Sequence, residues 1–369
     1  MFPVYIAYQI FVQKGVIHPY LGGYFSAGMA ISLPLLLLAA SVKPHSHIPP
    51  DLVEWLFVLF MLLFGMSLAV GVYTNVTPDI LRPNAITWCS FVVLYLLGLL
   101  FPWGDKAATH YAQLIFVGLL LLILLNTKGG QLIGVGYISP GADKELNYQA
   151  VALAYIVATL AALPPARVLI RYAGYVFSII ALYIVGARSE FVAFAFIAGT
   201  IEFCMAKRKA LFVALGIVGI VALLALAHAM LGTLPGSRIL GLSDVSEDAS
   251  SIARAALTTD AWLSISLAPF LGEYGSYLPG NYAHNILSAW VDMGLAGIVT
   301  LALLLTFASA SIMLTYRNWV RTPVFLVTAA LLVASILLML FAKYYTYQLL
   351  PIAIGAYGNL RRRDAGYST

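Results

Sequence analysis

What constrains this chain most is a succession of apolar blocks, each roughly 15 to 25 residues long and cut off from the next by a turn residue or a charge. A block of that length crosses the hydrocarbon core of a bilayer as a helix. It satisfies its backbone hydrogen bonds internally, which an isolated strand cannot do. Transmembrane strands are excluded by the pattern, because whole blocks are apolar and the alternation of a barrel strand is absent. Composition agrees: 62% of the 369 residues are hydrophobic and 9% charged, against about 25% charged in a soluble domain, and the mean hydropathy is +0.93. The expected fold is an all-α polytopic membrane protein forming one integral domain, 1–369.

The blocks predict helices over about 1–13, 21–41, 53–73, 85–102, 109–126, 147–164, 172–187, 189–206, 210–232, 284–315, 322–342 and 345–360, about twelve in all. Met1 to Val12 is apolar without a basic start or a small-residue cleavage site, and reads as a short first helix, not a cleaved signal. The net charge of +5 resides mostly in short loops. That is the positive-inside signature and not a nucleic-acid surface. Lys207-Arg208-Lys209, Arg317 with Arg321, and the tail Arg361-Arg362-Arg363 mark the cytoplasmic face. Counting helices from these marks puts both termini inside, and puts the turn at Arg188 and the stretch 233–283 outside. Of the 20 basic residues, about twelve then fall inside and eight outside. Cys89 and Cys204 fall near opposite faces, so a disulfide between them is not expected.

The segment 233–283 is the only substantial extramembrane piece, too small for a core of its own. A serine cap followed by helix formers with apolar spacing predicts a surface helix near 251–270, with Trp262 and Phe270 as interfacial aromatics and Arg254 in its first turn. The Gly-rich stretch from Thr127 to Asn147 reads as external turns.

Three basic side chains share the external face. Arginine presents a planar fork of donors that fits phosphate oxygens and is charged at any working pH, so Arg188 and Arg254 suit a pyrophosphate. His284 follows the hydrophilic loop at the start of an apolar helix, where it meets water and lipid-borne substrate together and titrates near neutral pH. Each has a structural alternative: arginines snorkel to headgroups, and a histidine at a helix start can be a surface residue. Glu190 can pair with Arg188 as a purely structural partner. Asp292, eight residues after His284 on one helical face, can orient the histidine through an intermediary or bond a neighbouring helix. Asn285 accompanies His284, and Tyr274, Tyr277 and Tyr282 can stack on sugar rings or form an aromatic belt. No zinc, Walker A or acidic-pair metal signature occurs in the external loops, so neither a metal nor a cofactor is expected.

The stretch Gly186-Ala187-Arg188-Ser189-Glu190-Phe191, Arg254 in the outer loop, and His284-Asn285 followed by Gly294-Leu295-Ala296-Gly297 resemble the O-antigen ligase and O-antigen polymerase family of bacterial envelope glycan enzymes. The resemblance covers about 180–315. It implies about twelve spans in the bacterial inner membrane, a periplasmic active site, and an undecaprenyl pyrophosphate-linked oligosaccharide as donor. It also implies metal-independent glycosyl transfer, with Arg188 and Arg254 on the pyrophosphate and His284 as base; the expected course is inverting, and the residues themselves offer Asn285, Asp292, Glu190 and Tyr282 as support. A chain-length regulator would be a natural partner, and nucleic acid would not. The compact outer loop fits a polymerase better than a ligase that passes the glycan to lipid A core. A transporter or flippase for the same lipid is the alternative of another class.

Overall fold

The computed structural model describes residues 24–42, 49–128, 130–132, 148–229, 249–279 and 281–367. The expected helix 1–13 and most of the loop 127–147, namely 133–147, lie outside them, as does 230–248. Among the described residues twelve helices are formed: α1 (Tyr24–Val42), α2 (Leu52–Tyr73), α3 (Pro78–Leu100), α4 (Lys106–Leu125), α5 (Tyr148–Ala162), α6 (Val168–Val185), α7 (Arg188–Met205), α8 (Lys209–Ala229), α9 (Ala249–Leu267), α10 (Leu287–Trp319), α11 (Pro323–Phe341) and α12 (Leu349–Tyr367). A two-residue hairpin, β1 (Thr127–Lys128) with β2 (Gln131–Leu132), follows α4. Six helices among the described residues are long and apolar enough to cross a membrane: α2, α3, α4, α6, α10 through Arg317, and α11. The chain is an all-α, multi-pass membrane protein.

Helix starts follow the local chemistry. Asp51 caps α2 by accepting from the Glu54 amide, and Asp105 caps α4 by accepting from the Ala108 amide. Helix α3 begins seven residues before the position expected from hydropathy, because Pro78 stands in its first turn, where its missing N–H costs nothing.

Two compact units emerge. Unit 1 gathers 102–248 and 320–327, hence α4 to α8; unit 2 gathers 26–101, 249–319 and 328–369, hence most of α1, then α2, α3, α9, α10, most of α11, and α12. In unit 1, the buried Arg171 pairs with Glu202, which also accepts from Tyr172 and Tyr175 at 3.1 and 3.0 Å. That pairing explains how an arginine tolerates 3% exposure.

Unit 2 carries the site. Helices α3 and α12 pack backbone to backbone: a Cβ on Gly355 would lie 2.1 Å from the Tyr95 carbonyl oxygen, and one on Gly98 2.4 Å from that of Ile352. Such small-residue contacts hold membrane helices together where no hydrophobic force distinguishes helix from lipid. At one end of this pair, Glu54 receives Arg361 at 2.5 Å, Arg362 at 2.9 Å and the Tyr95 hydroxyl at 2.7 Å. The opposite end gathers three stretches, 71–84, 268–286 and 343–348. Tyr274 packs on Gly71 and accepts from Asn84 at 3.0 Å, and Tyr344 bonds Asp292.

The helix expected over 284–315 differs in form. It starts at Leu287 and is broken at Gly294, which has φ 65° and ψ −163°, a conformation that is almost exclusively glycine's. The break frees backbone groups that hydrocarbon cannot satisfy, and the stretch 269–273 answers them. The Glu273 amide donates to the Val291 carbonyl at 2.6 Å, and the Leu295 amide donates to Pro269 and Phe270 carbonyls at 3.0 and 3.2 Å. The approach is so close that a Cβ on Gly294 would lie 2.1 Å from the Phe270 oxygen. Gly294→Ala therefore combines a backbone penalty of about 1 to 3 kcal/mol with displacement of the 269–273 stretch. Thermal unfolding in detergent should show a clear loss of stability, whereas Gly199→Ala, which has open space around its Cβ position, should be neutral.

Candidate functional site

The stretch that answers the broken helix leads directly to Tyr274 and Tyr277, and Tyr282 and His284 follow before α10 begins. Helix α9 lies alongside: Ala261 and Ile265 pack with Ala283 and Val291, and Leu287 and Trp290 cover them. The Trp290 indole donates to the Pro269 carbonyl at 2.8 Å, and its ring meets Trp262 edge-on at 6.3 Å. Trp262, Leu263, Phe270 and Leu271 remain exposed, an apolar flank suited to the membrane interface.

His284 precedes the helix and does not open it. Asn285 takes the capping role: its side-chain oxygen accepts from the Leu287 amide at 3.0 Å, and its amide donates to Thr258 of α9 at 3.3 Å. The His284 ring is half-buried against Tyr282, with centroids 4.8 Å apart. Burial lowers its pKa to about 4, and the positive charges of Arg254 and Lys343 push in the same direction. The sequence expectation of a histidine titrating near neutrality without burial tuning is thus revised: the ring is neutral across the physiological range. Arg254 is exposed on α9, positioned to meet a ligand.

Asp292 sits at the end of the short first segment of α10, 2% exposed. It accepts from the Tyr277 hydroxyl at 3.2 Å and from Tyr344, and the two tyrosine hydroxyls are 2.9 Å apart. Because His284 lies outside the helix, counting residues along it does not relate the two. What connects them is rings: Tyr344 packs on Tyr282 at 4.5 Å, and Tyr282 on His284. Burial raises the Tyr282 pKa, and burial, with a smaller push from nearby Asp292 and against the Asn84 hydrogen bond, carries Tyr274 up to about 12, so these phenols stay neutral.

Arg188 and Glu190 belong to unit 1. Gly186, with φ 74°, ends α6 in the left-handed conformation, and Arg188 opens α7 one residue after the turn. Glu190 is 2% exposed and accepts from the Ser189 hydroxyl at 2.9 Å. The structure brings Arg254, His284, Asn285, Tyr282 and Asp292 together in unit 2 and sets Arg188 and Glu190 in unit 1.

Two residues that sequence reasoning passed over belong to the site, Lys343 and Tyr344. They occupy the short turn between the last two apolar helices. Helix counting assigns that turn to the face that carries His284, which was the available signal. Among the described residues no cluster of three His, Cys, Asp or Glu side chains can hold a metal ion. No family model matches the chain, and no curated protein or solved structure is significantly similar to it.

Histidine NMR on the ligand-free protein should find His284 titrating at about pH 4, well below the ordinary value of about 6.5. Lys343→Gln and Arg254→Gln should each raise it without restoring the ordinary value, because burial is the larger cause. Titration of His284 near 6.5 would contradict this environment.

Proposed function

We propose that this protein is a metal-independent inverting glycosyltransferase that polymerises undecaprenyl pyrophosphate-linked oligosaccharide units at the periplasmic face of the bacterial inner membrane. The observation that carries the reading is a neutral, half-buried imidazole held against Tyr282 and subject to the field of two cations, Arg254 and Lys343. A neutral imidazole can accept a proton, and cations beside it can receive a dianionic leaving group.

In the proposed step, the acceptor hydroxyl attacks the anomeric carbon of the donor as its proton passes to the free ring nitrogen of His284. The bond from that carbon to the pyrophosphate oxygen breaks, and its electron pair leaves with undecaprenyl pyrophosphate. Arg254 and Lys343 neutralise the charge that develops there. Pyrophosphate is a stable leaving group, so no general acid is needed.

The electrostatics couple base to donor. In the free protein, Arg254 and Lys343 depress the basicity of His284. A bound pyrophosphate offsets both charges, so the imidazole becomes a stronger base when the donor is present. The acid limb of kcat/KM, which reports the free enzyme, should therefore fall near pH 4, and the acid limb of kcat should fall at higher pH.

Transport of the same lipid is the second reading, favoured by the broken helix and the buried Asp292, which resemble the discontinuous helices of transporters. The break comes seven residues into the 31-residue span Leu287–Arg317, about 10 Å from one end. Transporter breaks fall at the midplane, so the glycosyl-transfer reading is preferred. Transfer to lipid A core instead of to another unit differs only in the acceptor. A gene deletion separates the two: single units still attached indicate a polymerase, and complete loss of attached glycan a ligase.

The direct test is an in vitro transfer assay on purified protein. His284→Ala, and Arg254→Ala combined with Lys343→Ala, should each lower kcat by about a hundredfold or more, and EDTA should have no effect. Full activity of His284→Ala, or inhibition by EDTA, would overturn the proposal.

A further inference from the structure

Beside the cationic region lies a cavity of a different character. It encloses about 310 Å³, the small end of the range of roughly 300 to 1,000 Å³ typical of ligand sites, and suits one sugar ring better than an oligosaccharide. Its polar lining comes from Asp260 and Ser264 on α9, Asn281 and Tyr282 on the loop, and Tyr277 and Asp292 beneath. No lysine, arginine or histidine lines it. The exposed Asp260 carboxylate, with no basic side chain opposite it, makes the rim hostile to an anion, so the donor's pyrophosphate is disfavoured there. Asp292 lies buried beneath, held by Tyr277 and Tyr344. Tyr282 forms part of the wall and carries His284 against its ring.

We propose that this cavity is the acceptor subsite of the same centre and takes a single uncharged sugar ring while excluding acidic sugars. The inference rests on the glycosyl-transfer reading and adds to it the class of sugar at the attacking end. Asn281, Ser264 and Asp260 bond hydroxyls at the rim, and the tyrosines offer rings to the apolar face of the sugar. An acceptor seated there lies one tyrosine ring from the proposed base. Carboxylate-bearing sugars are disfavoured by Asp260.

The test is saturation-transfer NMR on the full chain in lipid nanodiscs. The probes are methyl N-acetylglucosaminide and methyl glucuronide, each at about 10 mM to reveal dissociation constants near 1 mM. Inorganic pyrophosphate binding is followed in parallel by phosphorus NMR. The neutral glycoside should receive saturation at least about tenfold more strongly than the glucuronide, equivalent to about 1.4 kcal/mol. Asp260→Asn should narrow that difference. Ser264→Trp, which fills the cavity from α9, should abolish the neutral signal and leave pyrophosphate binding intact, and Asn281→Ala should weaken the neutral signal without touching the packed core. Equal binding of the two glycosides, a neutral signal that survives Ser264→Trp, or no neutral signal at all would overturn the subsite. Loss of pyrophosphate binding alone, with sugar binding retained, would instead overturn the glycosyl-transfer reading and leave the sugar cavity standing.

Discussion

A polar backbone group cannot be left bare in hydrocarbon, and the candidate site follows from how that constraint is met at one place. Helix α10 is interrupted at Gly294, and the carbonyl of Val291 and the amide of Leu295 must find partners outside their own helix. The stretch 269–273 supplies them. Side-chain contacts then place the residues that follow: Tyr277 donates to Asp292, and Tyr282 packs between Tyr344 and His284. Gly272 and Gly294 make this approach sterically feasible, since a Cβ on Gly272 would lie 2.5 Å from the Gly294 nitrogen.

Around that junction the charges are sorted. Arg254 and Lys343 act on His284, whereas Asp260 and Asp292 line the cavity that Tyr282 also borders. The tyrosines between them remain neutral because burial opposes their ionisation. A site with this division can hold a diphosphate and a polyol side by side without placing a carboxylate against a phosphate. The opposite end of unit 2 uses charge differently: Glu54 ties down Arg361 and Arg362. There the ion pairs serve the packing of α2 with α12.

Much of the fold was legible because a bilayer-length apolar block dictates a helix by itself. The extents of α2, α6, α7 and α11 follow hydropathy to within a few residues. The start of α3 did not, because Pro78 and Pro83 interrupt the apolar pattern without interrupting the helix. The break in α10 was also hidden: Gly294 reads equally well as a packing residue, and only the coordinates reveal its positive φ and the carbonyl facing it. At the site, the residue types single out His284, Arg254 and Arg188; the first two lie near enough for the charge of Arg254 to act on His284, and Arg188 belongs to unit 1. The basicity of His284 was not readable, since it depends on burial against Tyr282 and on Lys343, some sixty residues downstream in the chain. Asp292 reads from the sequence as a residue that orients His284 or bonds a neighbouring helix; its tyrosine partners come from two separate loops that no spacing rule connects.

The most direct measurement of the central claim is an experimental structure of the protein in nanodiscs with a non-transferable phosphonate analogue of undecaprenyl pyrophosphate-linked glycan. The account predicts the diphosphate within hydrogen-bonding distance of Arg254 and Lys343, with the His284 ring facing the anomeric carbon above the break in α10. A diphosphate bound at the other end of unit 2, beside Arg361 and Arg362, or one remote from His284, would contradict it.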